Sequence, residues 1–65
     1  MIYISRKISK SMFEALSEHG EKDIYDYGWS IIMSNGYADE EDFYDGAYIH
    51  SKNGEYEIIC RINKA

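Results

Sequence analysis

The chain has 65 residues, 45% hydrophobic and 15% aromatic, with no proline, one cysteine and a net charge of −5. That is room for one domain with one small core, burying about 60% of the surface its unfolded chain exposes. The apolar content exceeds that of a disordered acidic chain, the lone Cys60 has no partner for an internal disulfide, and no apolar run approaches the roughly 20 residues of a membrane span.

Residues 1–5 alternate, Ile2 and Ile4 on one side and Tyr3 and Ser5 on the other, the period of a half-buried strand. The same alternation breaks any signal-peptide core, so a reducing, cytoplasmic location is the expectation. Ser11-Met12-Phe13-Glu14 has the spacing of a capping box. It predicts a short helix to about residue 18 or 19, with Gly20 in the left-handed position after it. Met12, Phe13, Ala15 and Leu16 form its apolar side.

Over 23–35 a helical wheel stacks Asp23, Asp26, Ser30 and Ser34 into one narrow polar stripe and leaves Ile24, Tyr25, Gly28, Trp29, Ile31, Ile32 and Met33 around the rest. A strand assignment explains no such stripe. The expectation is a largely buried helix started by Asp23 and stopped by Asn35-Gly36. Gly28, in mid-arc, would let a neighbouring element approach closely, at a helix-propensity cost of about 1 kcal/mol. Residues 39–46 predict one or two helical turns, with Asp39 as cap, acids near the positive end of the dipole, and Gly46 after the last turn.

Asn53-Gly54 between two β-rich runs is a hairpin signal, because both residues tolerate the positive φ of a type I′ turn. A two-residue loop then sets the register: Lys52 opposite Glu55, Ser51 opposite Tyr56, His50 opposite Glu57, Ile49 opposite Ile58, Tyr48 opposite Ile59 and Ala47 opposite Cys60. Ala47, Ile49, Tyr56, Ile58, Cys60 and Ile62 share an apolar face. The other face carries charge pairs but also Tyr48 and Ile59, and Tyr3 extends that patch if the first strand joins the sheet.

The fold predicted is α+β, a single domain in the order β-α-α-(short α)-β-β, with a three-stranded antiparallel sheet and helices on one face. Its expected core is Ile2, Ile4, Leu16, Ile24, Trp29, Ile31, Ile32, Ile49, Ile58 and Ile62.

Charge is distributed unevenly. Between Glu14 and Asp45 lie ten of the twelve carboxylates and a single base, Lys22, with Tyr25, Tyr27, Trp29, Tyr37, Phe43 and Tyr44 threaded among them. Such a segment repels phosphate and anionic lipid, which argues against direct binding of nucleic acid or membrane. The carboxylates have no nucleophile or histidine partner that would separate acid and base roles, so no enzyme is expected. Asp39, Glu41, Asp42 and Asp45 miss the spacing of an EF-hand loop. His19, His50 and Cys60 do not converge as zinc ligands, so neither metal nor cofactor is expected.

Protein recognition remains. Tyr beside Asp and Glu supplies rigid contact area together with charge that steers association with basic partners. The candidate partner-binding set is Asp23, Asp26, Tyr27, Tyr37, Asp39, Glu40, Glu41, Asp42, Tyr44 and Asp45, with Tyr25 and Trp29 assigned to the core and Asp23 and Asp39 doubling as helix caps. In size, single-domain character and the acidic-aromatic run Tyr37-Ala38-Asp39-Glu40-Glu41-Asp42-Phe43-Tyr44, the chain resembles the small acidic proteins with which phages and mobile elements inhibit host defence nucleases, of anti-CRISPR or anti-restriction type. The resemblance implies a non-enzymatic inhibitor whose carboxylates occupy the phosphate sites of a basic, nucleic-acid-binding host protein. A different class of function is open beside it: a small regulatory or structural subunit that binds a partner or forms a homodimer through the outer sheet face, Tyr3, Tyr48 and Ile59.

Overall fold

A computed structural model describes residues 1–64. Asn53 and Gly54 take φ of 54° and 77°, the pair of left-handed conformations a type I′ turn requires. They join β2 (Tyr44–Lys52) to β3 (Glu55–Ile62), and every pair from Lys52–Glu55 to Ala47–Cys60 stands in the expected register. β1 (Ile2–Ile8) pairs antiparallel with the other side of β3, so the sheet order is β1-β3-β2. β1 outlasts its apolar alternation: Arg6 and Lys7 interrupt the pattern, yet they pair with Ile58 and Glu57 and carry the strand to Ile8.

Between β1 and β2 come α1 (Lys10–His19), α2 (Glu21–Ser34) and a 3-10 segment (Ala38–Phe43). Element order and sheet are those expected, and both helices pack on one sheet face. Their starts differ from expectation. Ser9, not Ser11, caps α1: its backbone is extended and its Oγ accepts from the Met12 N–H at 3.1 Å, while Ser11 lies inside the first turn with its Oγ 3.0 Å from that of Ser9. A cap must sit where the chain leaves extended geometry, and that point is the residue directly after β1.

Gly20 serves both helices. At φ 96° its N–H reaches the Leu16 carbonyl and its own carbonyl accepts from Ile24 N–H. α2 therefore begins two residues before Asp23, which is no cap; its Oδ2 lies 2.7 Å from His19 Nδ1 instead. The stop at Asn35-Gly36 is as expected, with Asn35 as C-cap and Gly36 at φ 85°. Asp39 is also no cap, because the 3-10 segment starts from Tyr37 without a side-chain bond and is kinked at Glu40. Gly46 lies inside β2 rather than after a helix: its φ of 105° accommodates a bulge that shifts the register between Tyr44 and Gly46.

The core consists of Leu16, Ile31, Ile32, Tyr44, Ile58, Cys60 and Ile62. Ile2, Ile4, Ile24, Trp29 and Ile49 pack around it, half-buried. Two tyrosines exchange their expected roles: Tyr44 is 8% exposed and Tyr25 is 46% exposed. β2 begins at Tyr44, opposite the buried Ile62, which turns its ring inward under α2. There it packs 4.5 Å from the Tyr25 ring and 5.5 Å from the Trp29 indole, and its hydroxyl donates to the Tyr25 carbonyl at 2.7 Å. Burial pushes its phenol well above the ordinary range. Gly28 makes room for this arrangement. A Cβ there would overlap Tyr44 Oη and lie 2.6 Å from Ala47 Cβ, so the close approach expected of this glycine is between α2 and β2.

Candidate functional site

The acidic residues fall into two groups. Three expected contact carboxylates already have partners: Asp23 Oδ2 lies 2.7 Å from His19 Nδ1, Asp26 accepts from Lys22 at 3.1 Å, and Glu40 accepts from Lys64. The hydrogen bond to Asp26 raises the Lys22 pKa. The second group, Asp39, Glu41, Asp42 and Asp45, is exposed and forms no ion pair among the described residues. It is carried by the 3-10 segment and the first turn into β2.

The expected aromatics are mostly withdrawn from this surface. Tyr44 is buried, which removes it from any contact role, and Tyr27 and Tyr37 are half-buried against the core. Their places are taken by two residues not expected there, Phe43 at 45% and Tyr25 at 46% exposed. Phe43 follows Asp42 directly. Tyr25 lies over the bulge, 3.8 Å from where a Gly46 side chain would begin. The helical wheel could not expose Tyr25, since its apolar arc is wider than the strip of sheet that α2 covers.

A groove of about 520 Å³ runs between the N-terminal half of α2 and β2, with Ile24, Tyr25, Ala47 and Ile49 along it and the carboxylates of Glu21 and Asp45 beside them. Glu21, like the second group, is exposed and unpaired among the described residues.

The outer sheet face is a second surface. Tyr48 stands opposite Ile59, Ile59 opposite Ser5, and Tyr3 opposite Arg61, so the three residues named from sequence do share one uncovered patch. Tyr3 is 60% and Tyr48 42% exposed. The Arg61 guanidinium lies 5.9 Å from the Tyr48 ring centre and donates to the Asp45 carbonyl. The far half of the face is charged, with Lys7–Glu55 and His50–Glu57 pairs at 3.4 Å each.

Cys60 is buried, and that burial raises its thiol pKa; its Sγ lies 3.5 Å from the Gly28 carbonyl. Among the described residues no three His, Cys, Asp or Glu side chains are placed to hold one metal ion, and no helix is long and apolar enough to cross a membrane. Comparison with protein-family models, with curated proteins and with solved structures finds no match.

Proposed function

We propose that this chain is a non-enzymatic protein-binding module that docks its acidic, aromatic side on a basic, nucleic-acid-binding surface of a partner protein and so inhibits it. The observation that carries this reading is the set Asp39, Glu41, Asp42 and Asp45, exposed and unpaired among the described residues, with exposed Phe43 and Tyr25 beside it. An apolar anchor amid unpaired carboxylates combines contact area with charge that speeds encounter with a basic partner. Asp23 and Asp26 remain available to it, because their exposed contacts contribute only about 0–1 kcal/mol, whereas Glu40, 18% exposed at its side chain, is largely covered in its pair with Lys64.

The test uses the triple reversal Asp39→Lys/Glu41→Lys/Asp42→Lys, with the wild type as bait in host lysate. Captured protein should be released as salt rises from about 0.1 M to about 1 M, which shortens the screening length from about 10 Å to about 3 Å. It should also be displaced by duplex DNA and be absent from the triple variant. Capture that survives both salt and the reversal sinks the proposal.

One observation favours a second reading, self-association through the outer sheet face: the register gathers Tyr3, Tyr48 and Ile59 on a patch that no helix covers. Apolar association of this kind persists at high salt. A sedimentation experiment showing only monomer at high salt, unchanged by Tyr48→Ala/Ile59→Ala, eliminates it.

A further inference from the structure

We infer that the free edge of β2 is a strand-addition site for an extended, basic segment of a partner protein. This rests on the reading that the acidic side binds protein, and it names the element bound.

The hydrogen-bond phase of the hairpin exposes the site. Lys52 and Glu55 close a two-residue turn and so form a pair that exchanges both backbone bonds, after which bonded and non-bonded pairs alternate along the ladder. His50–Glu57 and Tyr48–Ile59 are then bonded pairs. Ala47, Ile49 and Ser51, between them, direct their N–H and C=O groups away from β3. No backbone bond from outside the sheet reaches those groups among the described residues.

The two sheet edges are not equivalent. β1 carries Arg6 and Lys7 on its edge, the inward Arg6 bonding Ser34 Oγ at 3.0 Å, and charges so placed discourage strand pairing. The β2 edge runs Gly46-Ala47-Tyr48-Ile49 without a charge. The groove also lies beside this edge and not the other.

The lining decides the occupant. A residue added opposite Ile49 would project to the same side as Ile49, into the groove against Ile24, because paired residues share a face. That position fits an apolar side chain. Glu21 and Asp45 line the groove with two exposed carboxylates, and the one cation among its lining residues, Arg61, is held at the Asp45 carbonyl and over Tyr48. Because side chains alternate faces along a strand, lysine or arginine two residues before or after the apolar residue shares its face and completes the charge. A second copy of this chain carries the same net charge of −5, so the charge favours a basic partner over self-pairing. Main-chain bonds then give affinity and the groove gives selectivity.

The experiment titrates the isotope-labelled full chain with synthetic peptides of about eight residues, enough to span an ordinary strand. One, the Val/Lys peptide, has Val at its centre, Lys two residues to either side and Thr at the positions between, and the other, the Val/Glu peptide, has Glu in place of Lys. A third is the Val/Lys peptide with alternate backbone amides N-methylated, which removes donors without changing side chains. The Val/Lys peptide should shift the amides of Ala47, Ile49 and Ser51 and slow their hydrogen exchange. The Val/Glu and N-methylated peptides should not. Glu21→Lys/Asp45→Lys, both exposed positions, should weaken the effect by about tenfold or more with an unchanged circular dichroism spectrum.

Shifts confined to Tyr3, Ser5 and Lys7 or to the outer face, equal binding of the N-methylated peptide, or no binding would each overturn the inference. The two failures are separable. A chain that still captures a partner through Asp39, Glu41 and Asp42 but ignores the peptides refutes strand addition alone. Peptide binding at the β2 edge with capture unaffected by the triple reversal refutes the acidic docking alone.

Discussion

Replacing Gly28 by alanine sets helix preference against a packing limit. In an unpacked helix the change would stabilise by about 1 kcal/mol. Here the new Cβ would overlap Tyr44 Oη and lie 2.6 Å from Ala47 Cβ and 3.4 Å from Cys60 Sγ. The tyrosine tip is the softer obstacle, but moving it breaks the 2.7 Å bond to the Tyr25 carbonyl. Leaving that buried hydroxyl unpaired costs about 1–3 kcal/mol. Ala47 Cβ is fixed to the β2 backbone, so relief on that side requires α2 to lift from the sheet, an overpacking cost of about 1–3 kcal/mol. After subtracting the helix gain, the net destabilisation is about 3 kcal/mol, or about 12–24 °C in melting temperature for a domain of this size. Thermal and urea unfolding followed by circular dichroism measure it. A Tyr44→Phe change in the same background removes the overlapping oxygen, so the double variant should be less destabilised than the sum of the singles by about 1 kcal/mol. A Gly28→Ala protein as stable as the wild type refutes the packing account, and an additive cycle refutes the part assigned to Tyr44.

Two further outcomes follow from the caps and the buried acids. Ser9→Ala should cost about 1 kcal/mol and Ser11→Ala only a few tenths by urea unfolding; the reverse order would restore a capping box at Ser11. Cys60 and Tyr44 are both held protonated by burial, with pKa values raised from ordinary ones of 9.0 and 10.0. On raising the pH the unfolded chain therefore loses these protons first. The stability contribution is complete below the ordinary thiol range and declines as pH rises through and beyond the two ordinary values. Urea midpoints across that range should fall, less steeply in Tyr44→Phe, and a flat profile would show that neither group is shielded.

The parts of the fold that sequence displayed are those fixed by local chemistry. Asn53-Gly54 admits one turn type, and a two-residue turn admits one register, so β2 against β3 was readable from Lys52–Glu55 to Ala47–Cys60. The polar stripe of α2 was readable because a 3.6-residue period leaves no room for another geometry. Gly46 shows the limit. A glycine with positive φ is required equally by a helix C-terminus and by a bulge, so the residue announces its backbone angle without announcing the element that uses it. The exchange between Tyr25 and Tyr44 has the same root. Both are aromatic residues at apolar positions, and which one is covered depends on where β2 crosses under α2, a fact of topology.

The acidic surface was legible in part, and the missing part differs in kind. Lys22–Asp26 is a pair four residues apart on α2, so its mutual neutralisation is written in the spacing, whereas His19 and Asp23 meet across the Gly20 break between the two helices. Lys64 and Glu40 are 24 residues apart and meet only because β3 returns alongside the 3-10 segment. No spacing rule finds that pair. The β2 edge divides along the same line. The turn alone dictates that Ala47, Ile49 and Ser51 face outward with their backbone groups, whereas the groove beside them exists only because α2 crosses β2 at a glycine. A site that joins a locally determined strand edge to a topologically determined wall is therefore half visible in a single sequence. The visible half, a row of uncharged residues between Asp45 and His50, is the feature to look for.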